Sequence, residues 1–151
     1  MKQKILNTLL AVVFFAIFLP AAVSAQEISW QKFDRGMAMA KEQDKNVFLY
    51  FHAEWCSYCK KMERTTFKKS KVIDYINENF IAIKVDSDRE QKISETYNVR
   101  GLPTLWFLKS DHTRISNLPG YIDAKTFGNI LRFINTDSYE QMSYNDFKKT
   151  L

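Results

Sequence analysis

Hydrophobic residues along the chain alternate between a three-to-four-residue spacing and short unbroken runs, and each change of pattern marks an element. From Gln26 to about Lys45, Trp30, Phe33, Met37 and Ala40 share one face, predicting a helix ended by Asp44, Lys45 and Asn46. Val47-Phe48-Leu49-Tyr50-Phe51 is a continuous apolar run rich in β-formers, the pattern of a strand covered on both faces. A helix is expected after Cys56 and Cys59. Another carries Val72, Ile73, Ile76 and Phe80 on one side and leads into Ile81-Ala82-Ile83-Lys84-Val85, a second buried strand ending at Asp86. Strand, helix, strand implies a parallel crossover. Arg89 to Tyr97 reads as a shorter helix. Gly101-Leu102-Pro103 then precedes a third strand, Thr104 to Leu108, with a hairpin turn at Asp111-His112 and a returning edge strand from Ile115 to Tyr121. Phe127, Ile130, Leu131 and Ile134 mark a final amphipathic helix starting near Asp123. No repeat or linker interrupts this order, so residues 26–151 read as a single domain. Its polar tail, Thr136 to Leu151, is a short helix or a loop without an assigned position.

The first 25 residues follow another rule. They contain no acid, begin with Lys2 and Lys4, and run apolar from Ile5 to Leu19 before Pro20 and the small or β-branched residues Val23-Ser24-Ala25. A basic start, an apolar stretch and such a site form a signal peptide, with cleavage expected after Ala25. The alternative is an uncleaved anchor, but 15 residues that include Asn7 and Thr8 fall short of the roughly 20 that a spanning helix needs. No cysteine follows the run, which argues against a lipid anchor. The mature product is therefore expected to be exported or periplasmic, and soluble.

Composition narrows the classes further. At 151 residues and 46% hydrophobic, the chain can build one domain with a true core, and it has none of the low-complexity tracts of disordered or collagen-like proteins. Two cysteines cannot make a multi-disulfide scaffold. The net charge of +5 falls to +3 once Lys2 and Lys4 are removed, and with it goes most of the compositional support for nucleic-acid binding. The basic cluster Lys60, Lys61, Arg64, Lys68, Lys69 and Lys71 either steers acidic partners or forms a solvated helix face.

Candidate chemistry centres on Trp55-Cys56-Ser57-Tyr58-Cys59, just after the first buried strand. A strand-to-helix turn there exposes Cys56 and sets Cys59 one helical turn later. Free N–H groups at a helix N-terminus favour a thiolate, so Cys56 is expected to attack a substrate disulfide and Cys59 to resolve the mixed disulfide. Two other readings stand beside this one. A static disulfide closing so small a loop constrains the unfolded chain by only about 2 kcal/mol. A metal pair could take copper(I) or zinc with His52 as third ligand, but neither a second Cys pair nor a local His completes a closed site. No metal site is assigned.

Phe51-His52-Ala53-Glu54-Trp55-Cys56-Ser57-Tyr58-Cys59-Lys60 and Tyr97-Asn98-Val99-Arg100-Gly101-Leu102-Pro103-Thr104 resemble the two signature segments of the thioredoxin superfamily, over nearly all of residues 30 to 135. Met62-Glu63, Thr66-Phe67 and Gly120-Tyr121-Ile122-Asp123-Ala124-Lys125-Thr126-Phe127 are most similar to the C-terminal periplasmic domain of the DsbD proteins. The resemblance implies an α/β thioredoxin fold, a central mixed β-sheet flanked by helices on both faces. It implies Cys56 as nucleophile, Cys59 as resolving thiol, and Pro103 as a cis-proline facing the disulfide, with Trp55 and Leu102 in the substrate-binding wall. Thioredoxins usually carry an Asp six residues before the first cysteine, where this chain has Tyr50. Glu63 matches a carboxylate of the DsbD domain and either tunes the thiols or forms an exposed ion pair. His52 either tunes them too or points elsewhere by strand alternation. The Ser57-Tyr58 pair leaves the direction of exchange open. The DsbD-like segments favour a reductase of exported disulfides, monomeric, without a bound organic cofactor, and fed by a membrane donor of the DsbD or CcdA kind. Cytochrome c maturation thiols are one recipient it would suit. The competing classes are a thiol oxidase or isomerase of the same fold, a copper-binding module, and a noncatalytic module binding through the groove around Trp55 and Pro103.

Overall fold

The apolar run at 47–51 becomes β1 (Asn46–His52), buried from Val47 onward and flanked on both sides by other strands. In the computed structural model, which describes residues 26–151, the elements are α1 (Phe33–Gln43), β1, α2 (Ser57–Thr65), α3 (Ser70–Asn79), β2 (Phe80–Asp86) and α4 (Gln91–Thr96). There follow β3 (Thr104–Leu108), β4 (Arg114–Pro119), α5 (Ala124–Asn135), a 3₁₀ turn (Ser138–Glu140) and α6 (Tyr144–Lys149). The expected signal segment and its cleavage after Ala25 lie outside the described residues. Among the described residues, no helix is long and apolar enough to cross a membrane.

The strands lie in the order β2-β1-β3-β4. β1 runs parallel to β2, with Tyr50 level with Lys84, and antiparallel to β3, with Phe51 level with Thr104; β3 and β4 pair antiparallel. Side-chain alternation along β1 divides the core. Val47, Leu49 and Phe51 face α1 and α4 together with Ile81, Ile83 and Val85. Phe48 and Tyr50 face α2, α3 and α5, where Met62, Phe67, Ile76, Phe127 and Leu131 close over them. The sheet is thus covered on both faces, and α2 and its cysteines belong to the second layer.

Several boundaries differ from the periodic reading. The first helix starts at Phe33 rather than Gln26, because the preceding residues are held extended: the Gln31 N–H donates to the Ala82 carbonyl at 2.8 Å, and the Lys84 N–H donates to the Gln31 carbonyl at 3.3 Å. Trp30 therefore leaves the α1 face and packs in the other layer against Phe48, Tyr50 and Phe67, at ring-centroid distances of 5.8, 5.7 and 5.5 Å. Phe80 opens β2 rather than closing the helix pattern, although its N–H still caps α3 at the Ile76 carbonyl. β4 ends at Pro119, because Gly120 turns the chain with φ of 91°, a region open to glycine. The tail, unassigned from sequence, is the 3₁₀ turn and α6, with Tyr139, Tyr144 and Phe147 gathered around Phe133.

Candidate active site

β1 ends at His52, and the chain turns through Ala53, Glu54 and Trp55 into α2. Cys56 is the N-cap of that helix, in extended backbone geometry, and its sulfur accepts the Cys59 N–H at 3.1 Å. The arrangement follows from helix termini in general: the first N–H groups have no partner within the helix, and a sulfur placed there takes one up. Cys56 and Cys59 form a disulfide, with Cα atoms 5.2 Å apart. Both are buried, Cys59 more completely.

The rim is made by less buried residues. Trp55 is 70% exposed, and its indole N–H donates to Asp88 Oδ2 at 2.9 Å, which fixes the ring across the turn after β2. Between the indole and α4 lies a cleft of about 320 Å³ lined by Trp55, Asp88, Glu95, Arg100 and Leu102 among others. Leu102 and Pro103 come from the segment before β3. Because Thr104 pairs with Phe51, the antiparallel register sets Pro103 level with the end of β1, where the chain turns toward Cys56. The Leu102–Pro103 peptide bond is cis. The loop is braced at both ends: the Thr104 hydroxyl donates to the Gly101 carbonyl at 2.7 Å, and the Gly120 N–H to the Pro103 carbonyl at 2.7 Å.

Below the disulfide, the sheet contributes polar groups. Glu63, on α2, is half-buried and pairs with Lys84 of β2, Oε1 to Nζ 2.8 Å. Tyr50 is fully buried, and its hydroxyl donates to the Cys59 carbonyl at 3.3 Å. Burial pushes the Tyr50 phenol well above its ordinary range, and the charge of nearby Glu63 pushes the same way. His52 lies on the same face as Tyr50, as alternation requires, and stacks on it with centroids 5.6 Å apart. Burial holds its imidazole below the usual value, and Lys84 adds to this, against weaker opposing pulls from Glu63, Asp86 and Glu54. Strand alternation therefore directs His52 into the Tyr50–Glu63–Lys84 group. Among the described residues, no three His, Cys, Asp or Glu side chains gather as a metal-binding group.

Two residues of this region were not singled out from sequence. Lys84 had a signal, a lone charge inside the otherwise apolar run Ile81 to Val85. Asp88 had none, since only the turn after β2 carries it to Trp55. The basic cluster is exposed, and part of it is used internally: Lys68 pairs with Glu27 at 2.8 Å, and Lys61 lies over the Tyr121 ring at 4.4 Å.

Residues 33–135 match the family described as thioredoxin-like domain. The thiol:disulfide interchange protein DsbD of Photorhabdus laumondii is 30% identical over 111 residues, which cover 70% of this chain and 19% of that protein. The chain thus spans about one-fifth of the DsbD relatives it matches. Among solved structures, a thioredoxin from Thermus thermophilus aligns with a TM-score of 0.66 at 26% identity, covering 72% of this chain and 87% of that one. The reduced C-terminal domain of Neisseria meningitidis DsbD aligns with a TM-score of 0.57 at 29% identity, covering 68% and 92%. Sequence and fold agree, and the disulfide lies at the start of the helix that follows β1: the chain belongs to the thioredoxin-like domain family, is similar to the DsbD proteins and carries a CxxC disulfide.

Proposed function

We propose that the chain is exported, loses its first 25 residues after Ala25, and reduces disulfides of periplasmic proteins by cycling Cys56 and Cys59. The observation that carries this reading is the Cys56 sulfur at the start of α2, accepting the Cys59 N–H at 3.1 Å. The same N–H and the helix dipole stabilise a Cys56 thiolate in the reduced protein.

The exchange has two steps. The Cys56 thiolate attacks one sulfur of a substrate disulfide; a mixed disulfide forms, and the first substrate thiolate leaves and takes a proton from water. Cys59 then gives up its proton, with Glu63 as acceptor, and attacks Cys56 Sγ. The intramolecular disulfide forms, the mixed disulfide breaks, and the second substrate thiolate leaves and is protonated in turn. Two electrons pass to the substrate. Trp55, Leu102 and Pro103 form the wall against which the substrate segment lies, and a membrane donor of the DsbD or CcdA kind returns the two electrons. No organic cofactor enters, because the disulfide itself is the redox group.

The test is the reduction potential of the Cys56/Cys59 couple, titrated against glutathione or dithiothreitol. A value near about −270 mV is expected of an electron-delivering reductase, and one near about −120 mV turns the assignment to an oxidase. Failure to cycle rejects both and brings the copper-binding reading forward, to be checked by copper(I) stoichiometry. In cells, Cys59→Ala leaves Cys56 able to attack with no thiol to resolve, so mixed disulfides with exported proteins should accumulate, visible on non-reducing gels.

A further inference from the structure

Tyr50 has no role in the two steps above, yet it is tightly held beside the cysteines. It is fully buried, and its ring is caged by Trp30 at 5.7 Å, by His52 stacked at 5.6 Å and by Phe67 edge-on at 4.9 Å. Lys84 Nζ stands over the ring at 5.9 Å. The cage fixes where the hydroxyl oxygen sits. The hydroxyl donates to the carbonyl of Cys59 at 3.3 Å, the carbonyl that helix geometry pairs with the N–H of Glu63. One phenol thus ties down the carbonyl through which the resolving cysteine meets the backbone of its candidate proton acceptor. The titratable groups facing it are His52 on its own strand, Cys59 and Glu63 on α2, and Lys84 on β2. With burial and Glu63 both favouring the neutral phenol, the hydroxyl remains a donor throughout the working pH range.

We propose that Tyr50 is a positioning residue for the second step of the exchange: by holding the Cys59 carbonyl beside the Glu63–Lys84 ion pair, it keeps the resolving thiol aligned on Cys56 and its proton directed to Glu63. The proposal rests on the redox reading given above. It assigns Tyr50 to resolution and gives it no part in the first attack, because Cys56 draws its stabilisation from the helix N-terminus and not from the floor of the site.

The experiment separates the two steps. Reduced protein mixed with dithiobis(nitrobenzoate), an aromatic disulfide, releases one coloured thiolate when Cys56 attacks and a second when Cys59 resolves. Tyr50→Phe keeps the ring and removes only the hydroxyl. Its second phase is expected to slow about tenfold, the rate equivalent of one lost hydrogen bond, with a displaced pH profile, while the first phase keeps the parent rate and profile. Glu63→Gln, at a half-exposed site, should slow the same phase, and the double variant should cost less than the product of the two single effects. If both phases of Tyr50→Phe match the parent, or both slow equally, the proposal is overturned. The same holds if the two variants act independently. A parent protein that never releases the second thiolate instead overturns the redox reading, and this proposal with it.

Discussion

His52 is charged only at a cost. Its ring is buried against Tyr50 with Lys84 nearby, and its imidazole is held below the ordinary value of about 6.5 by burial first and by Lys84 second. The unfolded chain then binds a proton that the folded chain refuses, so stability rises with pH across the window between the lowered folded value and the unfolded one. Read downward, stability is lost as pH falls below the unfolded value, and the loss levels off once the folded imidazole is also protonated. Urea unfolding at about pH 7.5 and about pH 5.5 should show the drop, and His52→Asn should remove that part of it. The same residue marks the limit of legibility at this scale. The pairing of Cys56 with Cys59 could be read from sequence because two thiols three residues apart at a helix start can close a disulfide. The groups that surround His52, the contact of Tyr50 with Cys59 and the Trp55–Asp88 hydrogen bond could not, because each depends on which element arrives from elsewhere in the chain.

Gly36 shows how closely whole elements approach. It is buried in α1, and a Cβ added there would overlap the side chain of Ile83 on β2. Alanine favours a helix over glycine by up to about 1 kcal/mol, but forcing a methyl into a packed contact costs about 1–3 kcal/mol. Gly36→Ala is therefore expected to lower stability despite its better propensity, read as a lower urea midpoint at unchanged slope. Both overlapping atoms, Cγ1 and Cδ1, are absent from Ile83→Ala, so the double variant should cost less than the sum of the two single changes. Strands β1, β2 and β3 were legible as elements because continuous apolar runs have few other uses. The start of α1 was not, because Trp30 fits a helical spacing with Phe33 and Met37 while the backbone of Gln31 is paired to β2. Phe80 fits both its neighbours, closing α3 with its N–H and opening β2 with its register to Asn46.

Across the described residues, a single sheet divides two cores, and the C-terminal tail extends the core on the α5 side. Phe147 is only 9% exposed and sits 5.2 Å from Phe133, with Tyr144 at 5.5 Å from the same ring. Removing residues 137–151 should cost about 2–3 kcal/mol from the lost burial of one large apolar side chain, measured by denaturant unfolding, and leave the potential of the cysteine pair unchanged. The tail could not be read from sequence because its anchors are sparse and its helix short, too few turns to establish a period. The extended strip before α1 has a different consequence. Sheets end in rows of unmatched N–H and C=O groups that recruit other chains and seed aggregation. Gln31 occupies part of that row on β2, and the strip is stapled further by Ser29 and Glu27 to Asn77. The opposite border, β4, ends in Pro119, which offers no N–H, and begins with Arg114. Each border thus carries its own device against strand addition, partial cover on one side and a terminal residue without an N–H on the other.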